Sequence, residues 1–366
     1  MVREDSIKLI ERLCGAFGPS GCEDDVAALI KNEIGEICPS VAYDRMGNLI
    51  AVMRFGDVTV PARRRIMVSA HMDEVGFMIN EIHKDGYLGF DTVGGISDSV
   101  IAGRRVKIKK ADGSLLPGVI ASKAIHHKDK EERKKAVSVD KLYIDIGATD
   151  KEDAQKHVRI GDFVVFDSEF YPFGEGMIKG KALDDRMGCA AMIEVMRDLS
   201  ESSVTENVDV FFCFTVREEI GHSGAKIAAY EIRPDAAIVL ETTAIADIAD
   251  VKPSKRVADV GGGIVISVMD RSTVYDKAIV ARAFDVAKEN GIKAQIKRYV
   301  SGGNDAGHIH KTAEGAKVVT MSVPTRYLHS PACVASIEDY FSGKELCEAM
   351  IRDLCKACKD QKGENE

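Results

Sequence analysis

The chain has 366 residues, 45% of them apolar and 30% charged, and a formal charge of −8 at neutral pH. That length exceeds the usual single-core domain, so two domains are expected. The acidic balance excludes a nucleic-acid binder, which needs a basic footprint, and no run reaches the roughly 18 uncharged apolar residues of a membrane span.

The first residues, Met-Val-Arg-Glu-Asp-Ser-Ile-Lys, carry charge with no apolar stretch behind them, so no secretory signal and a cytoplasmic location are expected. Ile7, Leu9, Ile10 and Leu13 share one helical face, and Gly15 and Gly18-Pro19 end that run. Ser20-Gly-Cys-Glu23 reads as a capping box for a second helix through Val26, Leu29, Ile30 and Ile34. Residues 42–54 and 66–70 read as strands, the second nearly all apolar and so buried.

From 74 to 170 short β-rich runs alternate with Gly, Asp and Lys, and no amphipathic helix is evident. A charged stretch at 126–135 reads as an exposed loop within this β-domain. After Gly180 helices and strands alternate. Helices are expected at 187–199, 224–230, 274–288 and 337–355, the last capped by Ser336-x-x-Asp339. Strands are expected at 208–216, 236–240, 264–268 and 318–323. This alternation implies an α/β domain, residues 1–73 and 171–366, interrupted by the β-insert 74–170. Nine cysteines at irregular spacings argue for reduced thiols, and Cys355-Lys-Ala-Cys358 lacks the second pair that a zinc ribbon needs.

Five segments carry candidate chemistry: His71-Met-Asp73, Leu183-Asp184-Asp185-Arg186, Glu218-Glu219-Ile-Gly221, Leu240-Glu241-Thr and Leu328-His329-Ser. His71 and Asp73 lie two apart on an extended segment, so Asp73 can accept a bond from the ring nitrogen that does not ligate. Asp184 can bridge two cations with its two oxygens or can cap the following helix; Asp185 fits the cap. Glu218 and Glu219 follow a mostly apolar strand, where paired like charges are poorly screened. Binding Glu219 to a cation removes that conflict and leaves Glu218 to accept a proton from an attacking water.

Glu241 stands after an apolar strand, where α/β sheets place ligands, with Asp247 as its fallback. His329 follows another such strand and ranks above His222, His308 and His310; His83, His126, His127 and His157 read as surface residues. Each segment alone has an ordinary explanation, as a cap, a surface charge or a loop histidine. Together His71, Asp184, Glu219, Glu241 and His329, with Glu218 and Asp73, form the inventory of a water-activating metal pair. The chain reads as a hydrolase.

Those segments, with Gly302-Gly303-Asn304-Asp305-Ala and Tyr143-Ile-Asp-Ile-Gly147, resemble the dinuclear metallo-aminopeptidases of the glutamyl and tetrahedral (TET) deblocking type. The resemblance covers essentially the whole chain. It implies a phosphorylase/hydrolase-like three-layer α/β domain with an inserted β-barrel that drives dimerisation, and dimers that assemble into a dodecamer. It also implies two divalent ions, zinc or cobalt with manganese as a further option. His71 and Glu241 would hold one ion and Glu219 and His329 the other, with Asp184 between them, Glu218 as general base and Asp73 as the orienting acid. A cis peptide between Asp184 and Asp185 is part of the same expectation.

The chain departs from the family's common pattern at Glu241 (usually Asp), Arg217 (usually Gln) and Asn304 (usually Thr). The expected substrates are short peptides with a free N-terminus. Rival readings are a related dinuclear deacylase or carboxypeptidase acting on N-acyl amino acids or peptides, a metal-free glycosidase using Glu218, and a non-enzymatic scaffold. The glycines at 261–263 lead into a strand, so they lack the context of a phosphate loop.

Overall fold

The computed structural model describes residues 3–356 except 62, 128, 131–134 and 203. The chain opens with helices α1 (Arg3–Gly15) and α2 (Asp24–Ile34), then strands β1 (Val41–Tyr43), β2 (Leu49–Phe55) and β3 (Arg64–His71). Next come β4 (Gly76–Ile82), β5 (Leu88–Val93), β6 (Arg105–Lys109), β7 (Leu115–Ala121), β8 (Tyr143–Asp145), α3 (Lys151–His157) and β9 (Phe163–Phe166). The remainder is β10 (Tyr171–Phe173), β11 (Met177–Gly180), α4 (Leu183–Ser200), β12 (Val208–Thr215), α5 (Ser223–Ile232) and β13 (Ala236–Ala244). It ends with β14 (Ile264–Ile266), α6 (Lys277–Glu289), β15 (Ala294–Ile296), α7 (Ala306–Ile309), β16 (Lys317–Arg326), β17 (Cys333–Ser336) and α8 (Ile337–Lys356).

An 11-stranded mixed sheet runs β1-β2-β12-β3-β13-β16-β17-β11-β10, with β14 pairing β15 and β16. Its centre, β12, β3, β13 and β16, is parallel, and the flanking strands are antiparallel. The central strands are apolar along nearly their whole length, and β13 is buried from Ala236 to Thr243 because helices cover both of its faces. α4 packs on β3 and β13 and α8 on β16; α5 and α7 pack on each other and on central strands.

Strands β4-β5-β8-β7-β6-β9 close into a separate barrel. Phe77 sits at its core, edge-on to Phe90 and Phe166, with Ile79, Val106, Ile108, Ile120 and Ile144 fully buried around it.

Several expected details change. Residues 42–54 form two strands, because Asp44 Oδ1 accepts the amides of Met46, Gly47 and Asn48 and turns the chain into the β1–β2 hairpin. Ser20 and Glu23 do not form a capping box: the α2 N-cap residue, Glu23, makes no side-chain cap bond to its helix. Ser20 Oγ instead donates to Asp73, and Glu23 Oε1 accepts the amides of Gly21 and Arg217.

The barrel region contains one helix that periodicity misses. Lys151–His157 is polar, buries only Ala154, and is held by Asp150 accepting the Asp153 amide. Ser336 Oγ accepts the Glu338 amide at the start of α8. The two oxygens of Asp339 turn elsewhere and accept the amides of Gly261 and Gly263, both at 2.7 Å. An internal carboxylate thus fills the glycine turn that lacked phosphate context. His126, His127, Asp129, Lys130 and Lys135 are exposed, as expected of the charged loop; its residues 128 and 131–134 lie outside the described residues. The described cysteines are all buried except Cys22, while Cys358 lies outside the described residues. Among the described residues no helix is long and apolar enough to cross a membrane.

Candidate metal centre

The parallel strands bring the predicted residues to one end of the sheet. His71 is the last residue of β3, level with Thr215 at the end of β12, and Glu218 and Glu219 follow in the loop after β12. Glu241 lies within β13, which continues to Ala244 instead of ending at Leu240. His329 comes three residues after β16, in a left-handed backbone conformation with φ +55.

Asp184 stands at the start of α4, where the Asp184–Asp185 peptide is cis and both residues have non-helical backbone angles. Asp185 takes the cap role expected of it, accepting the Gly188 amide at 3.1 Å. Gly224 lies against Val216 O and Asn48, where a Cβ would approach within 2.4 Å of each; with Gly221 at φ +118 it lets the chain turn back beneath the two glutamates.

Among the described residues four triplets of ligating atoms converge, His71, Glu218 and Glu219 among them, and two of the four share Asp184. His71, Asp184 and Glu241 form one; Asp184, Glu219 and His329 form the other. His71 Nε2 lies 3.4 Å from Asp184 Oδ1 and 3.9 Å from Glu241 Oε2. On the opposite side His329 Nε2 lies 3.5 Å from Asp184 Oδ2 and 3.2 Å from Glu219 Oε1. Asp184 therefore turns one oxygen to each histidine. Its Oδ1 is buried without a hydrogen-bond partner.

The electrostatics describe a site short of positive charge. Burial pushes the Glu241 carboxyl well above its usual range, and the charge of Glu218 adds to that. Burial raises Glu219 as well, and lifts Glu218 to about 7. Burial opposes charging of His71, yet Asp184 and Asp73 hold its pKa well above normal. Three buried carboxylates converging on two imidazoles is the donor set a pair of divalent cations would satisfy.

The residues behind the ligands fix their orientation. His71 Nδ1 is 3.1 Å from the main-chain oxygen of Asp73 and 3.5 Å from its Oδ1, so carbonyl and carboxylate both face the ring. The Asp73 carboxylate also accepts the amides of Glu218 at 3.0 Å and Glu219 at 3.1 Å, tying the β3 and β12 loops together. His329 Nδ1 lies 2.6 Å from Gly95 O, a contact from the loop after β5 that the sequence did not disclose.

Glu74, buried beside Asp73, accepts from Lys181 on one side of the Asp184 turn and lies 3.4 Å from Arg186 on the other. Asp247, the fallback for Glu241, is elsewhere: it accepts the Val260 amide and pairs with Arg326. His310 Nδ1 lies 2.7 Å from Ala306 O. His222 reaches the site's edge: its Nδ1 lies 2.9 Å from Glu218 Oε1, and its ring centroid is 5.5 Å from that of His308.

The chain is similar to several known proteins along nearly its whole length. A protein of Acetivibrio thermocellus named "Putative aminopeptidase" is 38% identical over 97% of this chain and 100% of its own length. The solved TET aminopeptidase of a marine-sediment Thaumarchaeota archaeon superposes with a TM-score of 0.91 at 34% identity, covering 96% of this chain and 97% of that one. Pyrococcus horikoshii TET1 peptidase, described as assembling into a tetrahedron or a large octahedral shell, gives 0.83 at 33% identity over 94% of this chain and 98% of its own.

The protein is accordingly a metal-dependent aminopeptidase, a hydrolase of peptide bonds. Residues 47–346, which span every residue of both triplets, match the M42 glutamyl aminopeptidase family, and the chain belongs to that family.

Proposed function

We propose that the protein removes N-terminal residues from short peptides at a centre where Asp184, common to both triplets, would help hold two divalent cations. His71 and Glu241 would hold one ion with it, and Glu219 and His329 the other. The observation that carries this reading is the placement of the two Asp184 oxygens, each within 3.5 Å of a different imidazole Nε2. The donor set of imidazole nitrogens and carboxylate oxygens suits zinc or cobalt, with manganese also compatible. When bound, such a pair supplies Lewis acidity, polarising the scissile carbonyl and acidifying a water.

The chain's own residues do the rest. Glu218, buried and lifted to about 7, takes the proton of the attacking water and passes it to the leaving amine. Asp73 orients His71 and, through the Glu218 and Glu219 amides, sets the distance between base and ligands. The substrate's free N-terminal amine would lie near one of the two ions, on the His71 and Glu241 side of the centre. We further propose that subunits associate through the barrel into a dodecamer in the cytoplasm, in keeping with the shells described for the P. horikoshii protein.

Glu218→Gln tests the assignment. The variant should bind both ions as the parent does while turnover falls by about 10²–10⁴-fold; retained turnover would refute the role. Free-amine and N-acetylated forms of one peptide test the substrate class, with only the free amine cleaved if the reading holds.

A further inference from the structure

The face of the sheet that carries Glu241 also carries a buried lysine outside the ligand set. Lys297, the first residue after β15, is 7% exposed. Among the described residues its Nζ makes one hydrogen bond, to Ser301 O at 3.0 Å, and no ion pair. An ammonium carries three donors, and a buried cation left without an anion is costly.

Strand register sets where that charge lies. Val239 pairs with Thr320, the Ser267 amide donates to Thr320 O at 3.1 Å, and the Lys297 amide donates to Ile266 O at 3.0 Å. Val239, Thr320, Ser267 and Lys297 therefore lie level across neighbouring segments, and level residues share a face of the sheet. Glu241, two residues beyond Val239, points to that same face. In the strand order Glu218 and Glu219 follow β12 on one side of Glu241. Lys297 lies on the other side, about three strand spacings or roughly 14 Å along the sheet. Its four-carbon stem covers part of that distance. Burial lowers the Lys297 pKa while the charges of Asp270 and Glu241 oppose the shift, so both carboxylates are within electrostatic reach.

Asp270 is committed elsewhere. Its Oδ1 accepts the amides of Ser272 and Thr273, and its Oδ2 accepts from the Tyr275 hydroxyl at 2.6 Å and the Asn304 side chain at 3.2 Å. Ser267 Oγ, beside Lys297 in the level row, is buried without a hydrogen-bond partner. Unused ammonium hydrogens and an unused hydroxyl thus stand together on the Glu241 face. A carboxylate, which only accepts, is the group that satisfies them.

We infer that Lys297, with Ser267, selects peptides whose first residue is acidic by binding that residue's side-chain carboxylate. The inference rests on the proposed placement of the substrate amine on the His71 and Glu241 side. From there the scissile bond and leaving amine extend toward Glu218, so the first side chain extends the opposite way, toward Lys297.

The test assays the metal-loaded enzyme with the p-nitroanilides of Glu, Gln, Leu and Lys, reading kcat/KM for each. Glu and Gln differ in charge at nearly constant shape, so their ratio isolates what Lys297 reads. The parent should cleave the Glu substrate at least about tenfold better than the Gln one. In Lys297→Met, and separately in Lys297→Gln, that preference should disappear. Lys297→Gln keeps a donor for Ser301 O, and hydrolysis of the Gln substrate shows that a variant has folded. A parent that cleaves Gln, Leu or Lys as well as Glu, or variants that keep the parent's ratio, would overturn this inference alone. Cleavage of none of the four substrates by the parent would overturn the proposed removal of N-terminal residues as well.

Discussion

Asp73 receives the amide hydrogens of Glu218 and Glu219 on its carboxylate while its main-chain oxygen faces the His71 ring. One residue thus sets the orientation of one ligand and the spacing of two glutamates. Asp73→Asn places an amide donor against those N–H groups, and should weaken zinc binding by about 10–100-fold, the usual cost of losing a partner behind a ligand. Calorimetric titration of metal-free protein reads this directly; unchanged affinity would mean Asp73 does not position the site.

At this scale several candidate residues were legible because they end or follow a buried strand: His71 closes β3, Glu218 and Glu219 follow β12, and His329 follows β16. Ser20, Gly95 and His222 were not legible in those roles. Their partners lie in distant segments, and no local pattern of type or spacing marks a residue that acts only through a contact made on folding.

At the scale of elements, the entry to α4 carries Asp184, and its geometry leaves no room for a side chain at Gly188. A Cβ there would lie 2.2 Å from Asp185 Oδ2 and so drive out the cap. Gly188→Ala should destabilise the protein by about 1–3 kcal/mol, the range for overpacking a tight site. It should weaken metal binding as well; chemical denaturation with and without zinc measures both effects, and wild-type stability in each would contradict the argument.

The start of α2 offers a pH test. Burial, with the charge of Asp73, raises the Glu23 pKa from 4.5 to about 7. A folded pKa above the unfolded one means the native state holds the proton more tightly. Its contribution to stability is complete below about 4.5 and disappears as pH rises through about 7. Metal-free wild type should therefore gain stability relative to Glu23→Gln on going from pH 8 to pH 5 in urea denaturation. An offset independent of pH would refute it.

The expected capping box at this same glutamate shows where sequence reading stops. Ser20-x-x-Glu23 has the right spacing, but Asp73 and the loop after β12 compete for both side chains and win. Helix α3 was missed for the opposite reason, since seven mostly polar residues burying one alanine leave no amphipathic trace.

Across the whole molecule, the change of texture at the barrel was legible because its strands are short and alternate buried with exposed residues. The order in which they close was not, because β9 returns to pair with both β4 and β6 across a long connection. The sheet's parallel centre followed from alternating helices and strands, whereas the eleven-strand width did not, since short edge strands such as Val41–Tyr43 and Ala294–Ile296 carry too few residues to show a period.

The contact from Gly95 to His329 joins a loop of the barrel region to the candidate centre, so the insert we propose for assembly also touches the site. Light scattering after size exclusion should give about twelve times the chain mass of 39.8 kDa, and a monomer at every concentration would contradict the assembly proposed.

Anomalous scattering from zinc-loaded crystals, recorded on both sides of the zinc edge, examines the centre itself. Two strong peaks should flank Asp184, one in bonding contact with His71 and Glu241 and the other with Glu219 and His329. A single peak, or ions held by other residues while Asp184 remains unligated, would contradict the dinuclear centre.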